Sequence, residues 1–260
     1  MLRENFNIIV IAWIGLALIL FPLLLKVRAP YGRHASSKWG PLIDNRAGWF
    51  IMEFPSLLLI TALFFAGHMT GKSIRWVFFG LWFIHYFNRI FIFPFRTRTK
   101  GKKIPLLVVI MALFFNLVNG FLNGYWLGYM EGGSSPVAGG QGDVTWLTDL
   151  RLIFGLSLFL TGFIINQLAD NHLINLRKDN KSGYSIPKHP LFKHISCPNF
   201  AGEIIEWTGF AVMTWSLPAL SFAVWTAVNL IPRALHHHAW YKENFPAYPW
   251  KRKAVIPFIL

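Results

Sequence analysis

The chain has 260 residues, of which 54% are hydrophobic and only 14% charged, a composition that excludes an ordinary soluble domain and a disordered chain and predicts an integral membrane protein. The single cysteine, Cys197, excludes a secreted disulfide scaffold. The net charge of +14 does not indicate nucleic-acid binding, because the 25 Lys and Arg residues lie in clusters between apolar runs and not on one basic face.

Seven apolar segments predict seven membrane-spanning helices, since a span needs about 20 mostly apolar residues. In chain order they are Ile8–Leu25, Trp49–Ala66, Trp76–Phe93, Ile104–Tyr129, Leu152–Leu168, 199–215 and 218–240. The last two are separated at Ser216-Leu217-Pro218, because proline lacks the amide hydrogen that a helix interior needs. We therefore expect an all-α polytopic membrane protein that forms one domain over residues 1–260.

The distribution of Lys and Arg predicts the orientation. The loops after spans one, three and five and the C-terminal tail are rich in Lys and Arg, whereas the opposite loops are not. The positive-inside rule then places the N-terminus outside and the C-terminus in the cytosol. Residues 130–146 are rich in Gly, Ser and Pro and are expected to form a flexible outer loop.

Spans two and three each carry a charged residue, Glu53 and Arg89, within the apolar run; such residues are costly in a membrane and mark candidate functional sites. Glu53 is interpreted either as a carboxylate that reaches the interface or as a proton donor in a cavity. Trp82, Tyr86 and Arg89 share one helix face. Tyr86 is interpreted either as a hydrogen-bond donor to a carbonyl or as an interfacial anchor.

Polar residues also cluster in the predicted cytosolic halves of spans five and six. Asn166, Asp170 and Arg177 lie near one stripe, which suits ribose and phosphate recognition or, alternatively, an ordinary ion pair at a solvated helix end. Asn199 and Glu203 lie on one face of span six and indicate a polar ligand.

Span seven adds Arg233, His237 and Tyr241, each four residues apart and so on one stripe. The run His236–His238 does not predict a metal site, because consecutive helical side chains diverge. The stripe Asn116, Asn119 and Asn123 on span four is interpreted either as part of the mid-membrane polar set with Glu53 and Tyr86 or as a source of hydrogen bonds between helices. No GxGxxG motif follows a strand, so a nucleotide would have to be held by the helices themselves.

Several long strings resemble those of the steroid 5-alpha-reductases. They are Gly48–Ser56, His85–Arg89, Thr148–Arg151, Asn166–Asp170, Cys197–Trp207, Ser216–Leu220, Arg233–Tyr241 and Tyr248–Phe258. The resemblance covers about residues 45–260. It implies a seven-helix membrane enzyme that uses NADPH to reduce the 4,5 double bond of a 3-oxo-4-ene steroid, with hydride transfer to C5.

The resemblance also implies the roles of individual residues. Glu53 and Tyr86 match the pair that engages the substrate 3-carbonyl, in a cavity formed mainly by helices one to four. The residues that match the NADPH-binding set, mainly on the cytosolic parts of helices three and five to seven, are Arg89, Arg98, Lys102, Asn166, Asp170, Arg177, Tyr184, Asn199, Glu203, Arg233, His237 and Tyr241. Two departures, Met52 in place of Gln and Met111 in place of Arg, concern the far end of the substrate, so the exact steroid stays open.

Two other functions remain as alternatives. One is a related membrane reductase of another enone or enoyl lipid, such as a polyprenol or an enoyl-CoA. The other is a lipid-binding carrier without chemistry, which would have no use for the polar residues of the cytosolic half. We expect a monomer that takes its lipid substrate from the bilayer and NADPH from the cytosol. A single cysteine and the lack of a retention signal favour a bacterial inner membrane over endoplasmic reticulum.

Overall fold

The computed structural model describes residues 2–30, 37–67, 74–97, 101–130, 148–179 and 184–260. Most of this part of the chain is helical, which confirms the all-α prediction. The helices are α1 (Leu2–Lys26), α2 (Asn45–Ala66), α3 (Arg75–Phe87), α4 (Phe93–Arg96), α5 (Leu106–Tyr129), α6 (Leu150–Asp179), α7 (Pro198–Thr214) and α8 (Leu217–Asn244). A π-helical turn, Asn88–Ile92, joins α3 to α4.

Within the described residues, five helical segments are long and apolar enough to cross a membrane. They are Arg3–Lys26, Asn45–Ala66, Arg75–Arg96, Leu106–Tyr129 and Leu150–Arg177. Helix α7 has only 17 residues, and α8 includes Asn229, Arg233 and the three consecutive histidines. A helix thus occupies each of the seven predicted segments, while the number of crossings and the orientation of the termini stay predictions. The predicted outer loop at 130–146 lies, except for Met130, outside the described residues.

The predicted break near Pro218 is confirmed. Helix α7 ends at Thr214 and α8 begins at Leu217, with Trp215 between them at a φ of 47°. A left-handed backbone conformation at a bulky residue is unfavourable and cannot continue an α-helix. The proline therefore lies in the first turn of α8, where its missing N–H is tolerated.

The chain divides into two compact units, each built from segments distant in sequence. The first unit comprises Met1–Val10, Pro30–Ile153 and Thr214–Ala219. The second comprises Ile11–Ala29, Phe154–Met213 and Leu220–Leu260.

In the first unit, α2 packs closely along α5. A Cβ atom added to Gly124 would lie 2.9 Å from Cα of Ile60, so only glycine allows the two backbones to approach this closely. Two short strands that the sequence analysis did not predict, β1 (Leu42–Asp44) and β2 (Lys103–Pro105), pair antiparallel just before these helices begin. The strand pair therefore ties the first turn of α2 to that of α5.

Helix ends in the first unit are capped by charged side chains. Arg75 is buried, and its guanidinium donates to the carbonyl oxygens of Leu127 (3.1 Å) and Met130 (2.7 Å) at the end of α5. Asp149 accepts a hydrogen bond from the backbone N–H of Arg151 (2.8 Å) at the start of α6. Hydrogen bonds from the Arg151 side chain, opposed by partial burial, hold the pKa of Asp149 below its ordinary value of 3.8.

In the second unit, α6 and α7 approach each other at a pair of glycines. A Cβ atom on Gly202 would lie 2.6 Å from the backbone nitrogen of Asn166 and 2.7 Å from the carbonyl oxygen of Gly162. No side chain fits between the helices there. This contact fixes the height of Asn166 on α6 relative to the polar face of α7.

The C-terminal tail is bound to the segment before α7. The backbone N–H of Cys197 donates to Ala254 (3.0 Å), and the Ser196 hydroxyl lies 2.6 Å from both His238 Nδ1 and the Tyr248 hydroxyl. The Tyr248 ring stacks on that of Tyr241, with centroids 5.2 Å apart. Burial raises the pKa of Tyr248 above its ordinary value of 10.0. The tail thereby fixes the position of Tyr241 on α8.

Candidate active site

Three helices of the first unit bring polar side chains together. The Tyr86 hydroxyl on α3 donates to Oδ1 of Asn116 on α5 (3.1 Å). The Asn116 amide nitrogen donates to the carbonyl oxygen of Met52 (2.7 Å) and to Oε2 of Glu53 on α2 (3.4 Å). Tyr86 is only 3% exposed, and Asn116 likewise. The structure therefore joins Glu53 and Tyr86 through one amide.

Arg89 completes this cluster. Its Nη2 lies 3.6 Å from Oε1 of Glu53, and the two side chains are 16% and 13% exposed. The guanidinium also lies over the rings of Trp49 (4.9 Å) and Phe93 (5.2 Å). The resemblance assigns Arg89 to the cofactor, and the structure places its guanidinium in the first unit, beside the Glu53 carboxyl.

The π-helical turn explains why Arg89 points this way. The N–H of Phe93 donates to the carbonyl of Asn88, five residues back, and not to that of Arg89 as in a regular α-helix. The next residue, Pro94, has no N–H to donate to the carbonyl of Ile90. The wider turn rotates the residues around Arg89 relative to a regular α-helix. The Trp49 indole N–H then donates to the carbonyl oxygen of Arg89 (2.9 Å), a bond that anchors the turn to α2.

This placement argues against Glu53 as a carboxylate that reaches the interface and against Tyr86 as an interfacial anchor. A carboxylate that reaches for the interface would be solvent-exposed, but Glu53 is mostly covered and contacts Arg89 and Asn116. An interfacial anchor would leave its hydroxyl at the surface, but the Tyr86 hydroxyl is bonded inside the bundle. The cluster can instead present a carboxyl and a phenol to a polar atom of a mostly apolar ligand.

The second unit holds a separate polar network between α6 and α7. The Asn166 amide nitrogen donates to the carbonyl oxygen of Asn199 (3.0 Å) and to Oε2 of Glu203 (3.4 Å). The Asn199 amide nitrogen in turn donates to Oδ1 of Asp170 (3.0 Å). The structure thus brings four of the predicted cofactor-binding residues into one cluster. Carboxylates and amides of this kind suit the hydroxyls and carboxamide of a nucleotide.

Other predicted cofactor residues lie at the end of α6 and on α8. The guanidinium of Arg177 lies 5.5 Å from the centre of the Tyr184 ring, and both residues line a small pocket with Tyr241. The His237 ring packs on that of Phe200 on α7, with ring centroids 5.8 Å apart. Arg233 is partly buried on the same stripe of α8, so its charge is held near this part of the unit.

The three consecutive histidines contact three different partners. His236 Nε2 lies 3.1 Å from the carbonyl oxygen of Leu25, His237 packs on Phe200, and His238 is bonded to the Ser196 hydroxyl. In the part of the chain that the structure describes, no group of three or more His, Cys, Asp or Glu residues is arranged to hold a metal ion.

The remaining predicted positions are less informative. Arg98 lies outside the described residues. Lys102 is exposed, and its carbonyl accepts a hydrogen bond from the Asn45 N–H (3.0 Å). Of the two departures, Met52 is buried and Met111 is 53% exposed.

Sequence reasoning did not assign Trp49 to this site, and it gave Asn116 no specific partner. The stripe that contains Asn116 fits both of its interpretations, because Asn116 bonds to side chains of two other helices, but nothing in the spacing of the asparagines shows that its partners are Glu53 and Tyr86. A signal was available in composition alone: an Asn at the centre of an apolar helix requires a polar partner on a neighbouring span.

Comparison with known proteins identifies the family. Residues 102–260 match the family model described as 3-oxo-5-alpha-steroid 4-dehydrogenase. The chain is 39% identical to a steroid 5-alpha-reductase of Arabidopsis thaliana, with 91% of this chain and 90% of the relative aligned. It is 38% identical to 3-oxo-5-alpha-steroid 4-dehydrogenase 1 of Bos taurus, with 100% of this chain and 99% of the relative aligned. It is 36% identical to the enzyme of that name from Homo sapiens, with 90% of this chain and 87% of the relative aligned.

These relatives are eukaryotic, which argues against the expected bacterial inner membrane; a low cysteine count and a missing retention signal are too weak to assign a source membrane. The apolar helices and the relatives together support an integral membrane protein. The extent and identity of the matches confirm the resemblance noted in the sequence. The chain belongs to the steroid 5-alpha-reductase, or 3-oxo-5-alpha-steroid 4-dehydrogenase, family of oxidoreductases.

Proposed function

We propose that this protein reduces the 4,5 double bond of a 3-oxo-4-ene steroid with NADPH, within one seven-span membrane domain. The observation that carries the proposal is the convergence of Glu53 and Tyr86, from two different helices, on one buried amide. Family membership and the names of the relatives support the same reaction.

The role of the first unit is to bind and polarise the substrate carbonyl. When the enone accepts a hydride at C5, negative charge develops on the 3-oxygen. Donors aimed at that oxygen stabilise the transition state more than the ground state. Protonated Glu53 and the Tyr86 hydroxyl are the donors, and water then protonates C4.

The second unit fits the nucleotide. The amide and carboxylate side chains of Asn166, Asp170, Asn199 and Glu203 suit its hydroxyls and carboxamide, and Arg177 and Arg233 suit its phosphates. Tyr184, His237 and Tyr241 provide aromatic surface beside them. When bound, NADPH supplies the hydride. Arg89 and Lys102 are further candidates for cofactor contact.

The proposed topology agrees with the assignment of the steroid to the first unit and of NADPH to the second. With the N-terminus outside and the C-terminus in the cytosol, the cofactor residues lie on the side where NADPH is present. The steroid, being apolar, enters from the bilayer. We propose that the protein acts as a monomer, because one chain contains both units.

Substitution at the carbonyl pair tests the proposal. Glu53→Gln and Tyr86→Phe should each lower turnover about 10²–10³-fold, the usual cost of one lost oxyanion donor, while NADPH binding is retained. Tyr125→Phe is the matched control, because Tyr125 lies on α5 in the same unit, stacked on Phe121 and Tyr129. Near-normal turnover in both site variants would remove them from the carbonyl site.

The main competing function is reduction of another enone or enoyl lipid by the same machinery. A donor pair of this kind suits an isolated carbonyl oxygen, which a polyprenol does not have. Progesterone, a polyprenol and an enoyl-CoA offered to the same preparation with NADPH would distinguish these substrates. Consumption of NADPH with the polyprenol alone would contradict the steroid assignment.

A further inference from the structure

One buried residue contacts both members of the proposed carbonyl pair and belongs to neither the predicted catalytic set nor the cofactor set. Asn116 lies near the middle of α5, where no water is present in a bilayer and every polar group needs a protein partner. It is 3% exposed, and its three hydrogen bonds go to Tyr86, Glu53 and the Met52 carbonyl.

The orientation of this amide is determined by its neighbours. The Met52 carbonyl can only accept a hydrogen bond, so the amide group 2.7 Å from it is the NH₂. The amide oxygen therefore faces Tyr86 and accepts the phenol proton. The same NH₂ reaches the Glu53 carboxyl, so opposite ends of one side chain hold the two donors of the proposed site.

A single proton links this geometry to the reaction. A tyrosine hydroxyl has only one hydrogen, which in this arrangement is bonded to Asn116. Donation to a substrate carbonyl requires that hydrogen to leave Asn116, while the phenol oxygen stays where the bundle holds it. Asn116 thus sets both the position of the phenol and the hydrogen bond that the substrate must replace.

We propose that Asn116 is a positioning residue for the reduction, one that acts through Tyr86 and Glu53 and does not itself touch the substrate. The proposal rests on the proposed function. Misplacing a reacting group by about 1 Å can cost about 10²-fold in rate. Loss of Asn116 should therefore lower kcat about 10–100-fold, and KM should not rise, because the substrate no longer competes with an internal acceptor.

The test is a double-mutant cycle on steady-state turnover of a 3-oxo-4-ene steroid by the full-length protein. Asn116→Leu keeps a similar volume and removes both ends of the amide. In the wild-type background it should lower kcat about 10–100-fold; in the Tyr86→Phe background the further loss should be smaller, because only the contact with Glu53 is then left for Asn116 to provide. Affinity for NADPH should be unchanged in all four proteins, because the polar network of Asn166, Asp170, Asn199 and Glu203 lies in the second unit and the hydrogen bonds of Asn116 go to Tyr86, Met52 and Glu53, not to Arg89.

A matched control is available on the same helix. Asn123 lies seven residues further along α5, is 1% exposed, and donates to the backbone carbonyls of Asn119 (3.0 Å) and Pro218 (3.5 Å). Asn123→Leu removes an equally buried amide without touching the carbonyl pair, so kcat should stay within about threefold of wild type. Asn116→Ala, which avoids any steric clash, gives a second measurement if Asn116→Leu folds poorly.

The outcomes are distinct. Equal losses from Asn116→Leu in both backgrounds, or equal losses from Asn116→Leu and Asn123→Leu, would show a purely structural role and overturn the proposal. Unchanged kcat in Asn116→Leu and Asn116→Ala would overturn it as well. If the wild-type protein does not reduce the steroid, the proposed function fails, and the role that rests on it fails with it.

Discussion

Replacing Gly202 by alanine tests how the second unit positions its polar network. The added Cβ would lie 2.6 Å from the Asn166 backbone nitrogen, whereas ordinary van der Waals contact begins at 3.4 Å, so α6 and α7 must separate locally by about 0.8 Å. Overpacking of this kind typically costs about 1–3 kcal/mol of stability. The hydrogen bonds from Asn166 to Asn199 and Glu203 are already 3.0 and 3.4 Å long and would not survive that separation.

The expected result is a fall in thermal stability together with a loss of cofactor affinity. Displacement of the network should also cost at least one hydrogen bond between it and NADPH; a hydrogen bond to a charged group contributes about 1.5–3 kcal/mol, so affinity for NADPH should fall about 10–100-fold. The assay is isothermal titration of NADPH into detergent-solubilised protein, with melting followed in parallel. Gly15→Ala is the control, because nothing lies within 4 Å of a Cβ at that position of α1 and alanine favours a helix. Wild-type stability and affinity in Gly202→Ala would refute the reasoning.

Three further predictions concern other parts of the chain. Arg177→Ala and Asn199→Ala should each raise the apparent KM for NADPH at least about 10-fold, measured by steady-state kinetics; unchanged values would contradict the cofactor site. Because the pKa of Asp149 is lowered on folding, the stabilising effect of its carboxylate is present above pH 3.8 and is lost as pH falls through the lower pKa of the folded state. The difference in Tm between wild type and Asp149→Asn should therefore shrink in acid, and a difference that persists in acid would contradict this prediction. Single cysteines introduced at Ser135 and Ser182, with the native cysteine replaced, should react with an impermeant thiol reagent from opposite sides of sealed vesicles; labelling from one side would contradict the seven-span topology.

The helices were largely predictable because apolar length and proline are strong local signals. The break before Pro218 follows from the missing amide hydrogen, and the structure ends α7 at Thr214. Hydropathy ended the fifth span at Leu168, but α6 continues to Asp179, because polar residues end an apolar run without ending a helix. The strands β1 and β2 were not predicted, since three residues are too few to show alternation.

The site was predictable by residue but not by contact. Helical spacing placed Tyr86 and Arg89 on one stripe, and the structure places Trp82 and Tyr86 in a stack with ring centroids 5.3 Å apart. The contact between Arg89 and Glu53 depends on the π-helical turn, which reorients the face that regular 3.6-residue spacing predicts. The link through Asn116 joins three helices, and no spacing within one helix contains it.

The central claim is tested most directly by following a deuterium label. Purified protein is incubated with progesterone or testosterone and NADPH that carries deuterium at both C4 positions, and the product is analysed by mass spectrometry and NMR. The account predicts a 4,5-saturated ketone with one deuterium at C5 and a solvent-derived hydrogen at C4. An unreduced steroid, reduction of the carbonyl in place of the double bond, or deuterium at C4 would contradict it.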